Sequence, residues 1–404
     1  MRLPNAENVH LTYCLNIHRG ETWEENFAAV RDKALAVKKL VCPGKPFGLG
    51  MRLSNAASLQ LAEPKALADF RAFLDANGLY VFTINGFPYG GFHDGIVKDN
   101  VYRPDWSDPK RLAYTNRLAD ILAALLPEGA SGSISTVPLS YKKWFEGLSL
   151  FQLSRKTAAS LWDNVADCAW HLAEIRRRTG KHIALALEPE PDCLIETTEE
   201  AELLRAFLRS CAGVLQGKRP VSPEIALDIM LRHVGVCVDL CHLSVEFEDP
   251  AASIAQLAKA GVVIPKVQIS AALALTPTRT ARRKLAEFAD PVYLHQVKVR
   301  KANGEIVSYA DLDQAPEVRT ADGPPGEEWR VHFHVPLYFS EYGELRSTRA
   351  LYTPALAKLL TSGVTPHLEI ETYTFDVLPP AARESDVVRS IAREFEWVLD
   401  WLTA

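Results

Sequence analysis

The chain has 404 residues, of which 48% are hydrophobic, 24% charged and 9% aromatic, a composition that excludes a disordered, collagen-like or coiled-coil protein. Its formal net charge of −5 offers no basic surface for nucleic acid, and no apolar run reaches the roughly 18 residues of a membrane-spanning helix. The start has no apolar segment of a signal peptide, so we expect a soluble, cytoplasmic protein that binds neither nucleic acid nor membrane. Its seven cysteines are widely spaced, and we predict that they are reduced thiols. The sequence gives no signal for the oligomeric state.

Short apolar, β-branched segments alternate with longer stretches of helical periodicity, a pattern typical of repeated βα units. The predicted strands cover 10–18, 46–54, 79–87, 132–139, 182–190, 234–242, 262–270 and 366–372. The predicted helices cover 22–40, 64–77, 108–126, 155–179, 197–216, 249–260, 351–362 and 381–402. This alternation favours an α/β fold, a (β/α)8 TIM barrel, over an open doubly wound sheet.

One segment, from 271 to 348, interrupts the alternation. It contains YLHQVKVRKANGEIVSY, in which Asn303-Gly304 is a hairpin signal, then a polar stretch and WRVHFHVPLYF. A bare barrel needs about 250 residues, so this segment accounts for much of the extra length. We predict a single TIM-barrel domain over 1–404, with an insertion after the seventh strand that lies over the C-terminal face of the barrel.

Polar side chains recur at the ends of the predicted strands. Alternate residues of a strand share a face, and on the fifth strand Ala184, Ala186 and Glu188 form one row, opposite an apolar row that belongs under the helices. The same division places further polar residues on inward rows; they are Asn16, His18, Arg52, Asn85, Asp239, Gln268 and Glu371. Active sites of barrels open at this C-terminal end, so we expect these groups to converge there.

Four successive strands end in Glu188, Asp239, Gln268 and Glu371. Carboxylates packed this closely repel one another, and a divalent cation removes that penalty by coordinating them. The sequence therefore predicts a metal site, for which oxygen ligands with one or two imidazoles suit Mn²⁺, Mg²⁺, Co²⁺ or Zn²⁺. Deeper on the seventh and eighth strands, Lys266 and Glu369 are predicted to form a structural ion pair.

Histidines lie near the same end of the barrel. His242 follows Asp239 in D-L-C-H, so that both can address one point above the barrel. His332 and His334 share a face if V-H-F-H-V is extended. They would then be extra metal ligands, substrate contacts or simply part of a surface strand. Lys98 lies in FPYGGFHDGIVKDNVYRPDW, whose aromatics and glycines suit either a lid over a sugar or a packed surface loop.

These residues resemble the xylose isomerase-like TIM-barrel superfamily, which contains sugar isomerases, epimerases and endonuclease IV. In its ketose epimerases a Glu, an Asp, a strand-seven His and a Glu hold one metal, which implies Glu188, Asp239, Gln268 and Glu371, with Gln268 in place of the His. The endonuclease IV branch has D-x-C-H on strand six, matched by Asp239, Cys241 and His242, and a D-x-H motif that would be His332-Phe-His334 here. Where that branch has histidines on strands two and three, this chain has Arg52 and Asn85.

Over nearly its whole length the chain resembles one subfamily, the EboE proteins. The stretches YCLNIHRGETW, INGFPYGGFH, GSISTVPLSYK, YLHQV and HLEIETYTFDVLP carry this resemblance. It implies a role in making or moving a small, cyclitol-like metabolite.

Three hypotheses about function follow. In the first, the protein is a metal-dependent isomerase or epimerase of a small polyhydroxylated metabolite, in which Glu188 and Glu371 transfer a proton and His242 stabilises the enediolate. The predicted substrate contacts are Asn16, His18, Arg52, Asn85, Lys98 and His295. In the second, a multinuclear site that includes His332 and His334 hydrolyses a phosphoester. In the third, the barrel binds a metabolite without turnover.

Overall fold

Eight strands run parallel around the centre of the molecule. In the computed structural model, which describes residues 1–3, 6–91, 97–150, 152–154, 158–289, 292–318, 321–373, 375, 378 and 386–403, they are called barrel strands one to eight. Their bounds are Ala6–Tyr13, Phe47–Arg52, Leu79–Asn85, Ser131–Thr136, His182–Leu187, Val234–Asp239, Lys266–Ile269 and His367–Ile370. Each overlaps a predicted strand, although strand one begins and ends earlier than the pattern indicates.

The order of the strands shows a barrel. Strands two to eight follow one another in sequence order, strand eight pairs with strand one, and Arg2–Leu3 adds a short antiparallel edge to this nine-stranded sheet. An open doubly wound sheet would reverse its strand order, so the predicted fold class is confirmed.

The side chain of Thr12 nearly closes the barrel between strands one and two. Its Oγ1 donates to the carbonyl of Gly48 at 2.8 Å and accepts from the amide of Gly50 at 3.1 Å, beside a single bridge between Cys14 and Gly50. A Cβ on Gly50 would lie 2.0 Å from Glu369 Oε1, so only glycine fits this approach of the two strands.

Helices cover the outside of the barrel. They are Trp23–Ala29, Leu35–Val41, Asn55–Leu61, Pro64–Asn77, Pro109–Leu125, Ala159–Thr179, Thr198–Glu202, Leu204–Lys218, Pro223–His233, Leu240–Val245, Pro250–Lys259, Arg279–Leu285, Pro354–Thr361 and Val387–Thr403. Helices at 55–61, 223–233 and 240–245 were not predicted, because one to three turns give little periodicity to detect. The predicted helix starts at 155 and 381 lie outside the described residues. None of the described helices is long and apolar enough to cross a membrane.

Residues between strands seven and eight form a second sheet. Its strands, in spatial order, are Ile306–Tyr309, Val297–Arg300, Glu328–Val331, Leu273–Leu275, Leu345–Ser347 and Glu341–Tyr342, and their pairings are antiparallel. The predicted hairpin is confirmed: its first two strands pair, and Gly304 has a φ of +87° in the turn between them.

Two smaller predictions concern buried groups. Lys266 Nζ lies 2.5 Å from Glu369 Oε2, with neither side chain exposed, and a further contact of 3.2 Å joins it to Ser135 Oγ. The predicted ion pair is thus confirmed in the barrel interior. All seven cysteines are buried thiols outside any disulfide, as predicted.

Candidate metal centre

Three carboxylates meet at the C-terminal end of the barrel. Glu188 follows strand five, Asp239 ends strand six and Glu371 follows strand eight. One oxygen from each lies within 4.8 Å of the others, and the three residues are 5% exposed or less. Their convergence at the ends of neighbouring strands is a consequence of the parallel register, as the alternation of residues predicts.

Two of the carboxylates, Asp239 and Glu371, have one oxygen held by neighbours. Asp239 Oδ1 accepts from the amide of His242 at 3.0 Å and from Ser270 Oγ at 2.7 Å. Glu371 Oε1 accepts from Asn16 Nδ2 at 2.9 Å and from Asn85 Nδ2 at 3.0 Å. Glu188 Oε2 and Asp239 Oδ2 are buried without a hydrogen-bond partner among the described residues. Buried oxygens of this kind are costly unless a cation or proton joins them.

Three histidines lie beside the carboxylates. Each Nδ1 atom faces a carbonyl oxygen. His242 Nδ1 lies 2.8 Å from the main-chain oxygen of Pro189, and His334 Nδ1 lies 2.9 Å from the main-chain oxygen of Glu371. His332 Nδ1 lies 2.8 Å from the side-chain oxygen of Gln296. A carbonyl only accepts, so Nδ1 carries the hydrogen and Nε2 keeps its lone pair in each neutral ring. The Nε2 atoms of His332 and His334 are 3.2 Å apart, so two facing lone pairs need a hydrogen between them or a cation beside them.

Burial dominates the electrostatics of the site. It raises the pKa of Glu188 to about 8 and that of Glu190 to about 7, with Asp239 contributing repulsion to both. It lowers the pKa of His334 to about 4, so this ring is neutral near pH 7. Burial would also lower the pKa of His242, but Asp239, Glu190 and Glu188 together raise it.

The side chains form several overlapping sets of three, each with ligand atoms within 4.8 Å. They are Glu188, Asp239 and Glu371; Asp239, His242 and His334; Glu190, His242 and His332; and Cys241, His332 and His334. Carboxylates and imidazoles are the ligands that first-row divalent metals and Mg²⁺ take in proteins. The residues present therefore fit a divalent metal, as the sequence predicts, and the imidazoles offer further positions.

Sequence reasoning overlooked Glu190, Tyr102, Gln296 and Tyr373. Glu190 has a sequence signal, because in L-E-P-E it lies two residues beyond Glu188 and continues the same inward row. The others lie on loops around the barrel mouth, where no periodicity indicates which way a side chain points.

Three of the glutamates and the three histidines of the site line a small cavity of about 70 Å³. Its lining residues are Asn16, Asn85, Phe87, Pro88, Val101, Glu188, Glu190, His242, His332, His334, Glu371 and Tyr373. The volume admits an ion and a few water molecules, so its walls must open for a larger ligand. A larger cavity of about 530 Å³ lies at the other end of the barrel, beside His10, Leu79 and Tyr80, away from these carboxylates.

Of the predicted substrate contacts, the structure brings Asn16 and Asn85 to the cavity. The other four do not line it. Arg52 donates to the carbonyls of Gly20 and Gly90 and pairs with Glu21 at 2.8 Å, and His18 bonds Tyr13 at 2.9 Å.

Lys98 and His295 lie together beside a different cavity. Lys98 Nζ contacts Asp311 at 2.6 Å and the carbonyl of Tyr293 at 2.8 Å. His295 is stacked on Phe333, and both Lys98 and His295 line a cavity of about 380 Å³ with Asp311. The contacts of Lys98 tie the segment after strand three to the segments that flank the hairpin Val297–Arg300 and Ile306–Tyr309 of the second sheet.

Gln268 is the remaining predicted ligand. It pairs in register with Asp239 on one side and Glu369 on the other, so it lies level with Asp239 in the barrel. Its Oε1 accepts from the thiol of Cys237 at 3.2 Å, and it is absent from the described residues that line the cavity.

Comparison with known proteins finds similarity in structure alone. No family model matches the chain, and no curated protein does. A xylose isomerase-like TIM-barrel protein from Mycobacterium smegmatis in complex with magnesium is 19% identical, over 93% of this chain and 89% of that one, with a TM-score of 0.45. The IolI protein with a bound zinc atom is 12% identical over 98% of both chains, with a TM-score of 0.46. A xylose isomerase domain protein from Alicyclobacillus acidocaldarius is 14% identical over 98% and 99%, also at 0.46. The chemistry of the site must therefore follow from its own residues.

Proposed function

We propose that this protein is a divalent-metal-dependent isomerase or epimerase of a small polyhydroxylated ketone, sugar or cyclitol. The observation that carries the proposal is the group of Glu188, Asp239 and Glu371, whose oxygens lie within 4.8 Å of one another at the barrel mouth. One oxygen of Glu188, Oε2, and one of Asp239, Oδ2, are buried without a partner among the described residues. Burial of three carboxylates is stable only when a cation or protons neutralise them.

The metal would be held by Glu188, Asp239 and Glu371, with Gln268, level with Asp239, as a proposed amide ligand. When bound, a divalent cation would neutralise the carboxylates and polarise the carbonyl of the substrate. The donor set suits Mn²⁺, Mg²⁺, Co²⁺ or Zn²⁺.

Glu188 and Glu371 would transfer the proton at the carbon beside the carbonyl. Burial raises the pKa of both carboxyls, and their mutual repulsion adds to the shift of Glu371, so one can carry a proton while the other accepts one. Asn16 and Asn85 hold Oε1 of Glu371, which leaves Oε2 to the cavity. Positioned groups of this kind contribute about 10²–10⁴-fold each.

His242 would stabilise the charge that develops on the substrate. The surrounding carboxylates raise its pKa, and Nδ1 already donates to the carbonyl of Pro189. In its protonated form, Nε2 can therefore donate to an oxygen of the substrate. Asn16 and Asn85 are the proposed polar contacts within the cavity.

Exchange of hydrogen with solvent tests this function directly. The metal-loaded protein is incubated in D₂O with panels of ketoses, inosones and related cyclitols, and ¹H NMR follows loss of the signal beside the carbonyl. We expect exchange with at least one substrate class, abolished in Glu188→Gln and Glu371→Gln and unchanged in the exposed control Glu63→Gln. Exchange that persists in both buried variants would refute the assignment.

A second candidate is a multinuclear phosphoester hydrolase. The histidine cluster favours it, because His332 and His334 with His242 offer positions for a cation beyond the three carboxylates. Metal content measured by mass spectrometry separates the two proposals: one metal per chain supports the isomerase, and two or more support the hydrolase.

The resemblance to EboE proteins supports a setting in small-metabolite biosynthesis or traffic. It rests on the sequence segments named above. We also propose a cytoplasmic location, which the seven reduced cysteines support. A barrel that binds its metabolite without turnover would show a retained small molecule by mass spectrometry and no exchange in D₂O.

A further inference from the structure

A chain of four buried polar residues connects the histidine cluster to Glu190. His332 Nδ1 lies 2.8 Å from Gln296 Oε1, and Gln296 Nε2 lies 3.0 Å from Tyr102 Oη and 3.2 Å from the carbonyl of Pro191. Tyr102 Oη in turn lies 2.9 Å from Glu190 Oε1. Gln296 and Tyr102 are fully buried, and Glu190 and His332 are 7% and 6% exposed.

The carbonyl of Pro191 determines the position of every hydrogen along these four side chains. The carbonyl of Pro191 can only accept, so the atom of Gln296 that faces it must be the amide nitrogen. The other atom is then the oxygen, and His332 Nδ1 must be protonated to donate to it. The second amide hydrogen goes to Tyr102 Oη, so the tyrosine gives its own hydrogen to Glu190.

His332 is the histidine of this cluster whose tautomer depends on another side chain. The Nδ1 atoms of His242 and His334 donate to main-chain carbonyls, which a substitution cannot remove. Gln296 directly precedes the strand Val297–Arg300 of the second sheet, and Tyr102 ends a short 3-10 helix after strand three. Two segments outside the barrel strands thus determine which nitrogen of His332 faces His334.

We propose that Gln296 is a positioning residue that fixes His332 in the tautomer with hydrogen on Nδ1, and that Tyr102 holds Gln296 and Glu190 in place. With this tautomer, the lone pairs of His332 and His334 face each other 3.2 Å apart, and a cation can bind them. With the other tautomer, His332 Nε2–H donates to His334 Nε2, and this hydrogen bond occupies both nitrogens. The consequence for cation binding rests on the second candidate function proposed above, in which a cation binds beyond the three carboxylates, whereas the tautomer itself does not.

The experiment observes the tautomers in the full-length, metal-free protein. Its eleven histidines are labelled with ¹⁵N, long-range ¹H–¹⁵N correlation distinguishes a protonated Nδ1 from a protonated Nε2, and single His→Gln variants assign the signals. We expect hydrogen on Nδ1 of His332 in the wild type. In Gln296→Leu we expect it to move to Nε2, with His242 and His334 unchanged.

A conservative variant separates positioning from a merely structural role. In Gln296→Glu the new carboxyl keeps an acceptor for His332 Nδ1 and, when protonated, a donor for the carbonyl of Pro191, so the original tautomer should return. Binding of Zn²⁺ to the histidine cluster, measured by competition with a chromophoric chelator, should fall about 10–100-fold in Gln296→Leu and recover in Gln296→Glu. The exposed control Gln314→Leu should change neither measurement.

Two results would overturn the proposal. One is a wild-type His332 with hydrogen on Nε2, a measurement that needs no variant to fold. The other is an unchanged tautomer or unchanged Zn²⁺ affinity in folded Gln296→Leu. The expected tautomers together with no exchange of any substrate in D₂O would reject the proposed isomerase and leave this inference standing.

Discussion

Metal binding should depend steeply on pH, because a cation must displace a proton from the carboxylate cluster. In the metal-free fold, burial raises the pKa of Glu188 to about 8, so this carboxyl is protonated at pH 6 and 7. A metal that binds its oxygen releases that proton. The apparent association constant should therefore rise about tenfold or more per pH unit from pH 6 towards 8, equivalent to about 1.4 kcal/mol per unit, and more steeply where Glu371, whose pKa burial also raises, releases a second proton.

The assay is a titration of chelator-treated protein with Mn²⁺ and Zn²⁺ at pH 6, 7 and 8, with a chromophoric chelator as competitor. Metal at a hundredfold excess over its Kd should also raise the free energy of unfolding by about 2.7 kcal/mol, seen as a higher urea midpoint. The Glu188→Gln variant should bind the metal more weakly, and its affinity should depend less on pH, since glutamine has neither the carboxylate charge nor the proton that the metal displaces. Glu63→Gln, at an exposed position, serves as the matched control.

The sign of the effect makes the reasoning testable. The folded pKa of Glu188 lies above the value of an unfolded chain, so the metal-free protein should lose stability as pH rises from about 4.5 to about 8, and bound metal should restore it. Affinity that is independent of pH, or a metal-free protein that gains stability over this range, would refute the assignment of Glu188 as a buried ligand.

Two further predictions concern the barrel interior. Lys266→Met should lower the free energy of unfolding in urea by about 3–5 kcal/mol, because it leaves Glu369 charged and unpaired. The double variant Lys266→Met/Glu369→Leu should recover much of this loss. Equal losses in the single and double variants would contradict this account. Gly50→Ala should cost about 1–3 kcal/mol or more, since the new Cβ would lie 2.0 Å from Glu369 Oε1. Gly90→Ala, where nothing lies within 4 Å of the new atom, should leave the urea midpoint unchanged; similar shifts in both variants would rule out the steric explanation.

The sequence by itself determined the barrel and the carboxylates at its mouth. Side chains alternate along a strand with a period of two, and parallel strands end at the same edge, so Glu188, Asp239 and Glu371 could be placed together from their spacing. The deep ion pair of Lys266 and Glu369 follows from the same rule.

Only the tertiary structure decided which loop residues complete the site. Arg52 was predicted on an inward row, but its long side chain pairs with Glu21 and bonds two loop carbonyls. Lys98 contacts Asp311, which lies just after a strand of the second sheet. Tyr102 and Gln296, nearly 200 residues apart in sequence, meet at 3.0 Å. Strand geometry is local and repeats every two residues, whereas loop side chains take their direction from distant partners, which a linear pattern does not encode.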